Sequence, residues 1–189
     1  MNRSRLGILF FSFLILCGCA TGGAKHPAKK KISPEPESEY SAKILRPALL
    51  KKAGANLIVV PFTAGVGVEA DQELDRLSLM IVKGVVDTLN TNGAHFKILA
   101  APEADQGDLL IQGHITHREN PQQKNWMFPP KEAALSVEVR MTERKGGHLV
   151  LIYSRQRKAP ATKEKRADER TLAQQIGQDI AEYVLGQVK

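Results

Sequence analysis

The sequence is short of cysteine. Its two, Cys17 and Cys19, flank Gly18 near the amino terminus, so everything after Cys19 lacks a disulfide framework, a thiolate metal site and a cysteine nucleophile. Aromatic residues make up only 5% of the chain, with a single tryptophan. No run approaches the roughly 20 apolar residues of a spanning helix, which excludes a multi-spanning helical membrane protein. Catalytic signatures are missing as well. No Gly-x-Ser-x-Gly elbow occurs, and Gly65-Val66-Gly67 has neither a third glycine nor a following Lys-Ser/Thr to cradle phosphate. What is present is one domain's worth of material: 189 residues, 42% hydrophobic and 25% charged, which is too apolar for a disordered or fibrous chain. Bases outnumber acids by 27 to 20, a net charge of +7 that on its own points to a polyanion such as nucleic acid.

The amino terminus changes that reading. Arg3 and Arg5 precede an apolar run from Leu6 to Leu16, the charged and hydrophobic regions of a secretory signal too short to remain as a spanning helix. Leu16-Cys17-Gly18-Cys19 fits the lipobox pattern, and residues 1–19 therefore resemble a bacterial lipoprotein precursor. The alternative is an ordinary signal peptide cut near Ala20 or Ala24. The resemblance implies cleavage after Gly18 and a covalent lipid on Cys19, the only cofactor expected. Two or three acyl chains, at about 0.8 kcal/mol per buried methylene, give lasting attachment to the membrane. Ala20 stands where lipoproteins retained in the inner membrane often carry Asp, so the resemblance favours the periplasmic face of the outer membrane. Loss of residues 1–18 removes two arginines and no acid, lowering the net charge to +5. Nucleic acid is scarce in the periplasm, and it is not an expected partner.

Three segments are expected: signal peptide 1–18, lipidated cysteine and flexible tether 19–55, and periplasmic domain 56–189. The tether reading rests on Thr21-Gly22-Gly23, Lys29-Lys30-Lys31 and the Pro-Glu repeat from Ser33 to Glu39, none with apolar periodicity. Ser41 to Lys52 could add a helical turn or a strand lead-in, with Pro47 barring a long helix.

In the domain, Leu57-Ile58-Val59-Val60-Pro61-Phe62 reads as a strand buried on both faces. Leu74, Leu77, Ile81, Val85 and Leu89 mark an amphipathic helix over about 70–90, with Asp71 at its cap. Further strands are expected at 96–100, 108–117, 135–142 and 148–155, the last two joined through Lys145-Gly146-Gly147 as a hairpin. A terminal helix over about 167–188 carries Leu172, Ile176, Ile180, Val184 and Val188 on one stripe. The order β-α-β-β-β-β-α implies an α+β fold: a mixed sheet of about five strands with two helices packed on one face.

Val59-Val60-Pro61-Phe62, the helix after it, Phe96-Lys97-Ile98-Leu99 and the stretch from Asp108 to Ile115 resemble a domain shared by the TolB amino terminus and several periplasmic lipoproteins. Those are of the curli-secretion (CsgG), Pel-export (PelC) and penicillin-binding-protein-activator (LpoB) types. The resemblance implies a non-enzymatic accessory in envelope assembly or export that binds an envelope protein and forms homo-oligomers. It implies no catalytic residue. Neither Thr63–Ala70 nor Glu119–Lys131 has the apolar residues for a pair of spanning strands, so the chain is not expected to form a pore alone.

Two stretches are candidate binding sites. Trp126, Met127 and Phe128 lie in a proline-bounded loop suited to a partner or to the membrane interface. Arg155, Arg157, Lys158, Lys163, Lys165, Arg166 and Arg170 form a basic stretch, and the alternative reading makes them a direct site for an anionic glycan or lipid. An envelope hydrolase is the third reading, disfavoured by the missing nucleophile. His114 and His117, an offset of three on a strand, are expected on opposite faces and so unable to share a metal ion.

Overall fold

The computed structural model describes residues 39–92, 95–99, 107–119, 132–160 and 168–188. The chain begins there with strand β1 (Glu39–Ile44) and one helical turn, α1 (Pro47–Leu50). Strand β2 (Ala55–Val59) and the two-residue β3 (Thr63–Ala64) lead into helix α2 (Gln72–Asn92). Strands β4 (Phe96–Ile98), β5 (Leu109–Glu119), β6 (Glu132–Glu143) and β7 (Leu149–Pro160) follow, then helix α3 (Glu169–Gly186).

These elements form the expected α+β architecture, a mixed sheet with two main helices against it. Strand order is β1-β7-β6-β5-β2-β4, with β3 added beside β5. Leu57 and Ile58, adjacent in sequence, are both buried, as a central strand covered on both sides requires. β2 runs parallel to β4 and to β5, so α2 is the crossover of a β-α-β unit. β5, β6 and β7 form an antiparallel meander closed by a turn in which Gly147 takes φ 64° and Glu143 N–H donates to the His148 carbonyl.

Period-two alternation assigns the faces. Leu135, Val137, Val139 and Met141 of β6 are buried toward the helices, while Ser136, Glu138, Arg140 and Thr142 look the other way and are half-buried or exposed. The helices contribute Leu74, Leu77, Ile81 and Val85 from α2 and Leu172, Ile176, Ile180 and Val184 from α3 to the same core. α2 is capped as the sequence suggests, with Leu74 N–H donating to Asp71 at 2.7 Å, and α3 is capped by Asp168, which accepts from Arg170 N–H at 3.0 Å. α2 and α3 cross where Gly84 meets Gly177, and a Cβ on Gly177 would lie 2.9 Å from the Gly84 Cα.

To the expected strands the sheet adds β1 and β3, for seven in all. Residues Glu39 to Ile44, expected within the tether, form strand β1 and pair with β7 from Glu39↔Gln156 to Ile44↔Leu151. Leu50 of α1 is fully buried. His114 and His117 lie on the same face, not opposite ones. A bulge between Ile115 and His117 inserts Thr116 as an extra residue, so His114 stands opposite Glu138 and His117 opposite Ser136.

Candidate functional site

Of the residues singled out in the sequence, Arg155, Arg157, Lys158 and Arg170 fall in described elements. Cys19, Trp126, Met127, Phe128, Lys163, Lys165 and Arg166 lie outside the described residues. The alternation of β7 turns Arg155 and Arg157, with Tyr153, toward α3. Both guanidiniums converge on Asp179: Arg155 Nε donates to its Oδ2 at 2.7 Å, and Arg157 donates from Nε to Oδ2 and from a terminal nitrogen to Oδ1, each at 2.7 Å. The three side chains are only 12–19% exposed. Hydrogen bonding to Asp179 raises the Arg157 pKa further.

All three tyrosines gather around this pair. Tyr40 stacks on Tyr153 at 6.5 Å, Tyr153 meets Tyr183 at 5.0 Å, and the Arg155 guanidinium sits 5.7 Å from the Tyr40 ring centre. Burial pushes the Tyr153 hydroxyl up to about 12. β1, β7 and α3 are thereby joined through one aromatic and ionic cluster.

Arg170 is also paired within the domain, donating to Glu73 of α2 at 3.0 Å. Beside it, Arg118 at the end of β5 donates to both Asp71 oxygens at 3.0 Å and to Glu169 at 3.3 Å, while only 9% exposed. This network ties the first turns of both helices to the sheet. Hydrogen bonds hold two of its carboxyls below their ordinary range: the Leu74 amide does so for Asp71, and Arg170 for Glu73. Burial pushes Glu169 up, and Arg118 only partly offsets it. Three members of the basic stretch therefore serve internal pairing, and of its described residues only the half-buried Lys158 is left to the alternative reading.

One end of the sheet concentrates the connections. Glu119 stands near Ala134, Glu132 opposite Pro160, and Glu39 opposite Gln156. The residues flanking the Trp126 loop, those flanking the basic loop, and the entry into β1 therefore share that end. So does the β3–α2 connection, where Val66 is fully exposed and Gly67 takes φ 81°. A cavity of about 270 Å³ between this connection and β5 is lined by Glu69, Asp71, His117 and Arg118 among others.

The sheet face away from the helices is polar. Ser41 and Ser154 hydroxyls lie 2.9 Å apart across β1 and β7, and Thr63 Oγ1 lies 2.7 Å from His114 Nδ1. A trough of about 320 Å³ crosses this face, lined by Glu39, Ser41, Thr116, Ser136, Ser154 and Gln156, with parts of Tyr40, Val137 and Arg155. Among the described residues no group of three His, Cys, Asp or Glu side chains could hold a metal ion, and no helix is long and apolar enough to cross a membrane.

Sequence reasoning missed the tyrosine cluster, the Arg118 network and the trough. The shared parity of Tyr153, Arg155 and Arg157 was the available signal for the first, since it sets two arginines on the strand face that Tyr153 buries.

No family model and no curated protein sequence matches the chain. Solved structures do. The PelC dodecamer from Paraburkholderia phytofirmans is similar with a TM-score of 0.50 at 12% identity, over 77% of this chain and 97% of that one. Protein XCC0632 from Xanthomonas campestris, assigned to DUF330, is similar with a TM-score of 0.51 at 10% identity, over 72% of this chain and 87% of that one. The domain thus has the fold of PelC, one of the types that the sequence resembles.

Proposed function

We propose that this protein is a non-enzymatic lipoprotein, anchored through lipid on Cys19 to the periplasmic face of a bacterial outer membrane. Its α+β domain binds an envelope protein as an accessory in assembly or export and assembles with copies of itself. The observation that carries this reading is the fold held in common with PelC, a protein that forms dodecamers, together with the Leu16-Cys17-Gly18-Cys19 lipobox. Arg118, Arg155, Arg157 and Arg170 are each matched to a carboxylate that positions an element of the fold. With β1 starting at Glu39, residues 20–38 separate the lipid from the folded domain. At roughly 3.4 Å per residue they span at most about 65 Å, so the domain works close to its membrane.

Labelled palmitate tests the anchor. Incorporation into the full chain, abolished by Cys19→Ala with a shift of the protein to the soluble fraction, is the expected result. A Cys19→Ala variant that stays on the membrane with unchanged gel mobility would contradict it.

A further inference from the structure

We infer that the open face of the sheet is a binding site for an uncharged glycan strand, laid across β1, β7, β6 and β5. The inference stands on the lining of the trough and is independent of the anchor. Five of its side chains end in hydroxyl or amide groups: Ser41 from β1, Ser154 and Gln156 from β7, Ser136 from β6 and Thr116 from β5. Each hydroxyl both donates and accepts, which matches a ligand that presents hydroxyls in every direction. At about 320 Å³ the trough is within the range of small-ligand sites.

Thr116 shares this face with Gln112 and His114 by ordinary alternation, and the bulge beside it sets His117 opposite Ser136 on the same face, adding a second polar side chain there. A row of polar side chains continues past the trough: Ser41, Ser154, Glu138, His114 and Thr63 are successive cross-strand partners on five strands. Strands lie about 4.8 Å apart, close to the length of one ring in an extended chain of pyranoses, so a polymer crossing the strands meets one polar side chain per ring. The charges on the face balance. Glu138 pairs with Arg140 at 2.8 Å, Glu39 and Lys43 of β1 have opposite sign, and Lys158 of β7 is matched by Glu132 of β6 on the same face. A polyanion gains nothing here, and an apolar partner would bury hydroxyls without matching them.

The test uses the mature chain in detergent, with chitohexaose and cellohexaose as neutral probes and heparin as the anionic one. Saturable binding of a neutral hexasaccharide is expected, with amide shifts in the NMR spectrum confined to the neighbourhood of Ser41, Thr116, Ser136 and Ser154. Ser136→Val with Ser154→Val is expected to weaken it at least tenfold with no loss of thermal stability, since valine is favoured on strands. The wild-type shift map does not depend on that variant. Absence of binding by both neutral probes, shifts mapping elsewhere, or preferred binding of heparin would overturn the inference. So would a double variant that binds glycan normally but changes the oligomer's mass, which would assign this face to contact between copies.

Discussion

Placing a methyl group on Gly177 probes the seam on which the two-helix layer depends. A Cβ there would collide with the Ile81 carbonyl oxygen and lie 2.9 Å from the Gly84 Cα and the Val85 nitrogen, backbone atoms that cannot rotate away. Non-bonded contacts settle at about 3.5 Å, so α2 and α3 must part by roughly 1 Å or more at their crossing. Overpacking of this kind costs about 1–3 kcal/mol, and backbone on both sides places it toward the upper end. Better helix propensity returns about 1 kcal/mol. The net expectation for Gly177→Ala is a loss of about 1–2 kcal/mol, a fall in Tm of about 3–8 °C. Gly186, at the end of the same helix, is the control: nothing lies within 4 Å of its Cβ position, so Gly186→Ala is expected to be neutral or to stabilise by up to about 1 kcal/mol. Urea unfolding followed by circular dichroism measures both. A Gly177→Ala protein as stable as the wild type, or a Gly186→Ala protein that is the weaker of the two, would refute the close helix crossing.

Asp179→Ala leaves two largely buried guanidiniums without their shared carboxylate, and a loss of about 2–4 kcal/mol is expected in the same unfolding assay. Hydrogen exchange is expected to show protection at Tyr40–Ile44 comparable to that of β7, and exchange at the rate of an unstructured peptide would remove β1 from the sheet. Acid stability follows from the shifted carboxyls. Asp71, Glu73 and Asp108 have folded values below their ordinary 3.8 and 4.5, so their contribution is present above that range and is lost as pH falls through and below it. Glu169 is raised, so its contribution has the opposite sign, greatest when it is protonated and declining as pH rises above 4.5. Asp71→Asn is therefore expected to flatten the acid limb of a stability-against-pH curve, and an unchanged limb would show that the Asp71 carboxylate does not accept from the Leu74 amide and Arg118.

Much of the fold was legible because hydrophobic spacing reports a buried stripe directly. Leu74 to Leu89 and Leu172 to Val184 announced the helices, and Leu135 to Met141 announced a strand with one wet face. β1 was hidden by composition: Glu39 continues the Pro-Glu alternation before it, and every residue of this edge strand is exposed except the half-buried Ile44, so no buried stripe marks it. The bulge at Thr116 was invisible for a different reason. One extra residue changes the facing of His117 without altering composition, and only the partner strand reveals it. Ion pairs between residues far apart in sequence, such as Arg118 with Asp71 or Arg155 with Asp179, depend on packing that no local pattern encodes. The basic stretch looked like a patch because its acidic partners come from other elements.

The central claim, a lipidated chain that assembles with itself, is tested most directly by native mass spectrometry of the protein extracted from membranes in mild detergent. The account predicts a homo-oligomer that dissociates to chains beginning at Cys19 and carrying the mass of a diacylglyceryl group and an amide-linked acyl chain. A monomer beginning at or beyond Ala20 with no added lipid would contradict it.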